Sequence, residues 1–538
     1  MTWGGPVAGT VGVSYDRDFR VTSQTVNGGN SVAFGYDTDG LLTAAGALGI
    51  KRATQTGFIE RDSLSGILGE WIYDPKGALA SHTATVTSAD TLFRTSYVRD
   101  SLSRITELTE IVGDTAVAAF TYDDAGRLET VTRNGQLTAS YEYDGNGNRL
   151  ELTTQGGTVT GTYDDQDRLT SYGSAAYTYG RNGELQEKVV GTDTTRYTYD
   201  ALGNLTAVEL PDRTVIEYVI DPQNRRIGKK VDGDLVQGFL WQGQLAPVAE
   251  LDSAGEVVSR FVYATRVNVP DYVVKGGQTY RLVLDHLGSV RLVVNTSNDS
   301  VVQRLDYDEF GVITLNTNPG LQPFGYAGGL YDEQTGLVRF GARDYDAQVG
   351  RWTAKDPLGL GSGDLSFYRY VRGDPLNYVD ASGRIIWLPI LGAALAFEVA
   401  DLVWQLYRNG GDLCGVSLTE LIAATGVGAL IGALPQLIAA IAPAVPQAPQ
   451  IAQRLSSVDP NKLHHIFDKA GHALQPLVER FGSQQSAFRA VEAALQKAVM
   501  AQGIIGRFQG LAVDVGGIIV RVNGTVIDGV ARIGTFYR

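Results

Sequence analysis

The 538 residues carry 45 Lys and Arg against 59 Asp and Glu, a formal net charge of −14, with a single cysteine. A chain of that length exceeds what one hydrophobic core organises, so it divides into several units or extends as a repeat array. The lone Cys414 excludes a disulfide framework and a multi-cysteine metal site, and the acidic balance argues against nucleic acid as a partner of the large N-terminal part. The charge is uneven: Asp459 to Arg538 hold nine basic and six acidic residues, net +3, which leaves −17 for everything before them. The opening MTWGGPVAGTVGVSY has neither a basic start nor an apolar core of signal-peptide length. Export without such a signal, or a longer parent chain, is the expectation.

Taken in order, the chain first shows a repeat. YDTDGLLT at Tyr36, YDPKGALA at Tyr73, YDDAGRLETV at Tyr122, YDGNGNRLEL at Tyr143, YDDQDRLTSY at Tyr163, YGRNGELQEK at Tyr179 and YDALGNLTAV at Tyr199 share one pattern. From Tyr122 to Tyr199 the tyrosines recur at steps of 21, 20, 16 and 20 residues. Each unit predicts a strand, an Asp/Asn/Gly turn and a second strand. One such hairpin cannot bury its own face, so the units should pair edge to edge into one long, curling antiparallel sheet. Tyrosine suits this sheet because its ring packs while its hydroxyl still meets a polar partner. DHLGSVRLVVN at Asp285 and YDEFGVI at Tyr307 continue the pattern, and His286 reads as a turn or packing residue.

The repeat ends in GARDYDAQVGRWTAKDPLGLGSGDLSFYRYVRGDPLNYVDASGR, from Gly341 to Arg384. With its DP-x-G-L segment, Tyr-x-Tyr-Val run and closing D-x-x-G, it resembles the core terminus of the Rhs and YD-repeat proteins. The resemblance covers roughly the first 384 residues. It implies a YD sheet spiralling into a hollow shell around a C-terminal polypeptide, with the core terminus as a plug. It also implies an aspartyl autoprotease of Arg343, Asp344 and Asp356, cutting between Arg384 and Ile385. Two carboxylates held close do not both ionise cheaply, so one keeps a proton as acid while the other activates water, and Arg343 would orient one of them. Two departures from the family pattern stand out: DASGR replaces DPxGL, and GDLSFY replaces the Gly-Gly-x-Asn run before Tyr.

Residues 385–455 follow as an apolar, helix-prone linker. Leu421 to Val445 is free of charge for 25 residues, long enough to span a bilayer, but Pro435 and Pro443 interrupt it. Two readings stand: a membrane or translocation segment within 385–445, or helices packed against the inner wall of the shell. The Pro-rich APAVPQAPQIAQ from Ala442 then leads to a new domain near Ser456.

In that domain His464, His465 and His472 fall within nine residues of a chain holding five histidines. On a helix His465, Lys469 and His472 share one face. An amphipathic helix is predicted from Gln484 to about Gln502. Three or four short strands follow, with turns at Gly516-Gly517, Asn523-Gly524 and Asp528-Gly529. This α+β order resembles the barnase, EndoU, colicin E5/D and RelE group of ribonuclease toxins. Metal-free RNA cleavage needs a base, an acid and cations, and histidine titrates near neutrality. His465 and His472 are accordingly the expected acid/base pair, with His464 as a substitute for His465. Lys469 and Arg532 are the expected phosphate stabilisers, and Thr535 and Tyr537 the polar contacts.

The expected architecture is thus mostly β: a YD-repeat shell over 1–340, a plug over 341–384, the helical linker over 385–455 and a small α+β toxin domain over 456–538. The expected function is an Rhs-type antibacterial toxin of interbacterial competition, secreted or delivered by a contact-dependent system and acting in the target cytoplasm. Its partners would be an RNA substrate, a cognate immunity protein and secretion apparatus components, with no metal or cofactor. The alternatives are a metal-dependent DNase of the His-Asn-His type, for which no further histidine follows His472, and a cell-surface adhesion or carbohydrate-binding protein without an enzymatic tail.

Overall fold

The Tyr-Asp turns are closed by their own aspartates. Asp123 Oδ1 accepts the amide N–H of Ala125 at 3.0 Å and of Arg127 at 2.9 Å, and Asp123 Oδ2 accepts Arg127 Nε at 2.6 Å. Gly126 completes the turn at φ +80°, a conformation that glycine adopts without strain. The Arg127 guanidinium lies 4.8 Å from the ring of Tyr143 in the next unit, and the Tyr143 hydroxyl donates to the Leu128 carbonyl at 2.9 Å. Tyr122 and Tyr163 repeat that bond to Ile105 and Arg149 at 2.6 and 2.8 Å. Aspartate and a left-handed residue, most often glycine, therefore shape most of these turns, with Arg127 or Arg168, or Asn148 or Asn204, on the aspartate's second oxygen, and tyrosine joins one to the next. Asp123→Ala is expected to speed amide exchange across residues 123–128 while leaving the homologous turn at 164–168 unchanged, as residue-resolved hydrogen exchange would show.

The structure is a computed structural model that describes residues 1–86, 90–359, 364, 366–384, 386, 466–467, parts of 473–499, 506–527 and 530–537. The chain separates into two compact units, one built on Met1–Val403 and one on Ile431–Arg538. In the first, 31 described strands between Thr2 and Asn316 form one antiparallel sheet. Each strand pairs with its neighbour in sequence, as Asp114–Tyr122 does with Leu128–Arg133. The sheet coils so that strands roughly twenty apart in order meet, following the intrinsic strand twist. Gln24 reaches Arg260, Asp62 reaches Arg281, and Glu110 reaches Arg291. Trp3, Val7 and Val11 share a core with Phe239, Leu240 and Phe261.

After Asn316 the chain leaves this sheet and makes a second one of four short strands, Leu330–Tyr331, Leu337–Phe340, Arg343–Asp346 and Arg351–Trp352. Its Phe340, Tyr345 and Trp352 are buried with Tyr370, and the Tyr345 and Tyr370 rings lie 4.4 Å apart. Side chains pin this segment to widely separated turns and strands of the YD sheet. Arg351 donates to Asn148 at 2.7 Å, Tyr218 to Asp332 at 2.7 Å, and Tyr368 to the Gly183 carbonyl at 2.6 Å. His286 packs its ring 4.8 Å from Tyr97 and bonds the Leu376 carbonyl at 2.8 Å, the packing role expected of it.

The second unit is α+β. A helix spans Gln475–Phe481, and helical residues between 487 and 499 bury Ala487, Phe488, Val491, Leu495 and Val499. They pack on three antiparallel strands, Gly506–Val515, Ile518–Ile527 and Val530–Tyr537, through Val513, Val520, Val522 and Phe536. The turn expected at Gly516-Gly517 forms, but the one expected at Asn523-Gly524 does not. That pair lies inside the strand Ile518–Ile527, at a shift in register. Asn523 instead accepts the Gly510 N–H at 2.7 Å, so cross-strand bonding and the buried Val520/Val522 alternation override local turn preference. Among the described residues no helix is long and apolar enough to cross a membrane. Apart from Ile386, the linker over 385–455 lies outside the described residues.

Candidate functional site

Arg343 and Asp344 are neighbours on the strand Arg343–Asp346, and successive side chains of a strand face opposite ways. On one side Arg343 gathers the core terminus. Its Nη2 lies 2.9 Å from Asp356 Oδ2 and 3.0 Å from Asp380 Oδ2. Its Nε donates to the Gly383 carbonyl at 2.5 Å, and its guanidinium sits 4.0 Å from the Trp352 ring. One cation thus serves two nearly buried carboxylates.

Those two aspartates open the same kind of turn. In Asp356-Pro-Leu-Gly the Asp356 Oδ1 accepts Leu358 N–H at 2.8 Å, and Gly359 lies at φ +54°. In Asp380-Ala-Ser-Gly the Asp380 Oδ1 accepts Arg384 N–H at 3.0 Å, and Gly383 lies at φ +65°. A Cβ on Gly383 would fall on the Phe340 carbonyl oxygen and the Arg343 amide nitrogen, so this turn admits glycine alone. Burial raises the pKa of Asp356 to about 6; Arg343 works against that rise and the Asp380 charge adds to it. Asp356 therefore holds a proton at mildly acidic pH beside an aspartate that is bonded to the backbone of Arg384.

On the other side of the strand, Asp344 is 1% exposed and held between two guanidiniums. Arg226 of the YD sheet is 2.7 Å from one oxygen and Arg339, its cross-strand partner, 2.8 Å from the other. Of the three expected autoprotease residues, the structure brings together Arg343 and Asp356 and engages Asp344 elsewhere. Asp380 is the functional candidate that sequence reasoning read only as part of a motif. Asp-x-x-Gly occurs at both Asp356 and Asp380, but the same spacing opens many Tyr-Asp turns, as at Asp123 and Asp200, so it did not single out Asp380. Arg384 stands at the end of this segment, and Ile385 lies outside the described residues.

His464, His465, Lys469 and His472 also lie outside the described residues. Arg532 falls on the last strand, opposite Thr525. Thr535 and Tyr537 follow on the same strand, opposite Asn523 and Arg521, and alternate with the buried Phe536. They therefore occupy the sheet face turned away from the helices.

A family model described as Teneurin YD-shell matches residues 4–368. Human Teneurin-4 is 30% identical over 269 residues, 48% of this chain and 10% of that protein. The tRNA3(Ser)-specific nuclease WapA of Bacillus spizizenii is 27% identical over 289 residues, 52% of this chain and 12% of that protein. The chain thus spans about a tenth of the length of these curated relatives. Among solved structures, the Photorhabdus luminescens Tc holotoxin pore carrying a TccC3 aspartate-to-alanine substitution superposes with a TM-score of 0.58. The identity there is 17%, over 70% of this chain and 21% of that one. With its repeat, its coiled sheet and a family match over more than half its length, the chain is a member of the Teneurin YD-shell family of Rhs/YD-repeat proteins.

Proposed function

We propose that the chain is part of a toxin shell that cuts itself after Arg384 and carries a ribonuclease in the unit that follows the cut. The observation that carries the first half is the meeting of Asp356, Asp380 and Arg343 at the segment that ends in Arg384. In the step proposed, one carboxylate takes a proton from water as the water oxygen attacks the Arg384 carbonyl carbon. The protonated carboxyl hydrogen-bonds the developing oxyanion and passes its proton to the Ile385 nitrogen, and the C–N bond breaks. Arg343 keeps the pair close, while burial and the neighbouring Asp380 charge favour a proton on Asp356. Asp380 fills the place that the sequence reading gave to Asp344, whose oxygens are occupied by Arg226 and Arg339.

The second half rests on the histidine cluster, on the separate α+β unit and on likeness to a relative named as a tRNA nuclease. His465 and His472 act as base and acid, with His464 as the substitute for His465. Lys469 and Arg532 stabilise the phosphorane charge, and Thr535 and Tyr537 contact the substrate. A cognate immunity protein protects the producer, a secretion apparatus delivers the toxin into competing bacteria, and 385–445 meets the target membrane. The test is to express the full chain in bacteria beside a His465→Ala/His472→Ala variant and follow growth and total RNA. Growth arrest with discrete RNA fragments in the wild type alone is expected. Intact RNA with degraded DNA would move the assignment to a DNase. No toxicity, with both halves released, would favour a shell that serves adhesion.

A further inference from the structure

Between the YD sheet and the D-x-x-G loop lies a cavity of about 20 Å³, room for one small group. Its wall includes Arg226, Arg339, Trp241, the exposed Gln244, Gly341 and Ala381. Arg226 and Arg339 are 6% and 3% exposed, yet they share one carboxylate, Asp344. The neighbouring cations are already matched, Lys229 by Asp332 at 2.8 Å and Arg225 by Asp221 at 2.6 Å. Among the described residues one positive charge is left over in the protein interior.

The hydrogen bonding leaves the same remainder. Arg226 spends an Nη on Asp344, and Arg339 spends its two on Asp344 and Asn204. The Nε–H of each is buried with no acceptor among the described residues. An uncompensated buried cation and an unsatisfied buried donor are both costly. Burial lowers the pKa of Arg339; Asp344 offsets this in part, and Arg226 and Arg384 deepen it. A water molecule would satisfy the donors but leave the charge.

We infer that this cavity binds one small monovalent anion, a halide or a carboxylate group, held between Arg226 and Arg339. Its size disfavours a tetrahedral oxyanion, and the single excess charge calls for a single negative one. Because the wall is built from both the YD sheet and the plug, the bound anion would clamp the two together.

An anion that binds only the folded state raises its stability with the logarithm of its concentration above Kd. The test is the thermal unfolding midpoint of the full chain as chloride replaces bulky methanesulfonate at constant ionic strength, with formate as the carboxylate arm. A rise that continues with log chloride beyond a threshold is expected, and formate should act in the same way if the site takes carboxylates as well as halides. Gln244→Glu, at an exposed position on the wall, would supply the negative charge from the protein itself. It should unfold at a higher temperature in chloride-free buffer and respond to chloride several-fold less. No chloride response in the wild type would overturn the site, as would an equal response in Gln244→Glu, which would mark an adventitious ion effect only.

Discussion

Asp356→Asn and Asp380→Asn should each leave the full chain as a single 57.7 kDa band, while Asp344→Asn still yields two fragments that meet at Arg384–Ile385. Asparagine preserves the shape of each side chain but neither titrates nor accepts a proton. The reasoning is geometric: Asp356 and Asp380 both lie within 3.0 Å of one Arg343 nitrogen, and Asp344 faces the other way. The pH dependence follows from Asp356. Its pKa is raised to about 6, so the protonated form persists up to that pH and is lost above it. Cleavage should therefore fall about tenfold per pH unit above 6, read as band intensities after fixed times. An uncut Asp344→Asn beside a cut Asp380→Asn would restore the pairing of Asp344 with Asp356.

Arg343→Ala is expected to cost about 3–5 kcal/mol, the usual penalty for leaving buried charge without its partner. The guanidinium pairs with both Asp356 and Asp380, and it also holds the Gly383 carbonyl. The loss should shrink as pH falls toward 5, because Asp356, whose pKa lies at about 6 even beside Arg343, then takes up a proton and becomes neutral. Arg343→Lys should recover only part of it, since an ammonium lacks the planar fork that reaches several acceptors at once. Denaturant unfolding followed by tryptophan fluorescence provides the readout, with Trp352 beside the guanidinium. A change under 1 kcal/mol in Arg343→Ala would contradict the arrangement.

The parts of the fold that could be read in advance are those whose bonds are local. Asp123 closes its turn on residues two and four positions later, so the Tyr-Asp repeat announces both its turns and its sheet. Arg343 and Asp356 were put together only by the resemblance to the Rhs core terminus, and the structure places them in one ion pair. The place of Asp344 was not legible, because its partner Arg226 lies 118 residues away and no spacing rule connects them. Asn523-Gly524 misled in the opposite sense. A strong local turn signal yields when the flanking residues find cross-strand partners and a buried face.

The sequence by itself determined the repeat, the antiparallel pairing of neighbours and the α+β character of the last unit. Each of these follows from hydrogen bonds and hydrophobic alternation over a few residues. Only the tertiary structure decided which strands meet across turns of the coil, which aspartate joins Asp356 on Arg343, and where two arginines are left with one carboxylate. Those outcomes depend on the accumulated twist of the sheet and on which face of a strand each side chain takes, so they exist only once distant segments are packed together.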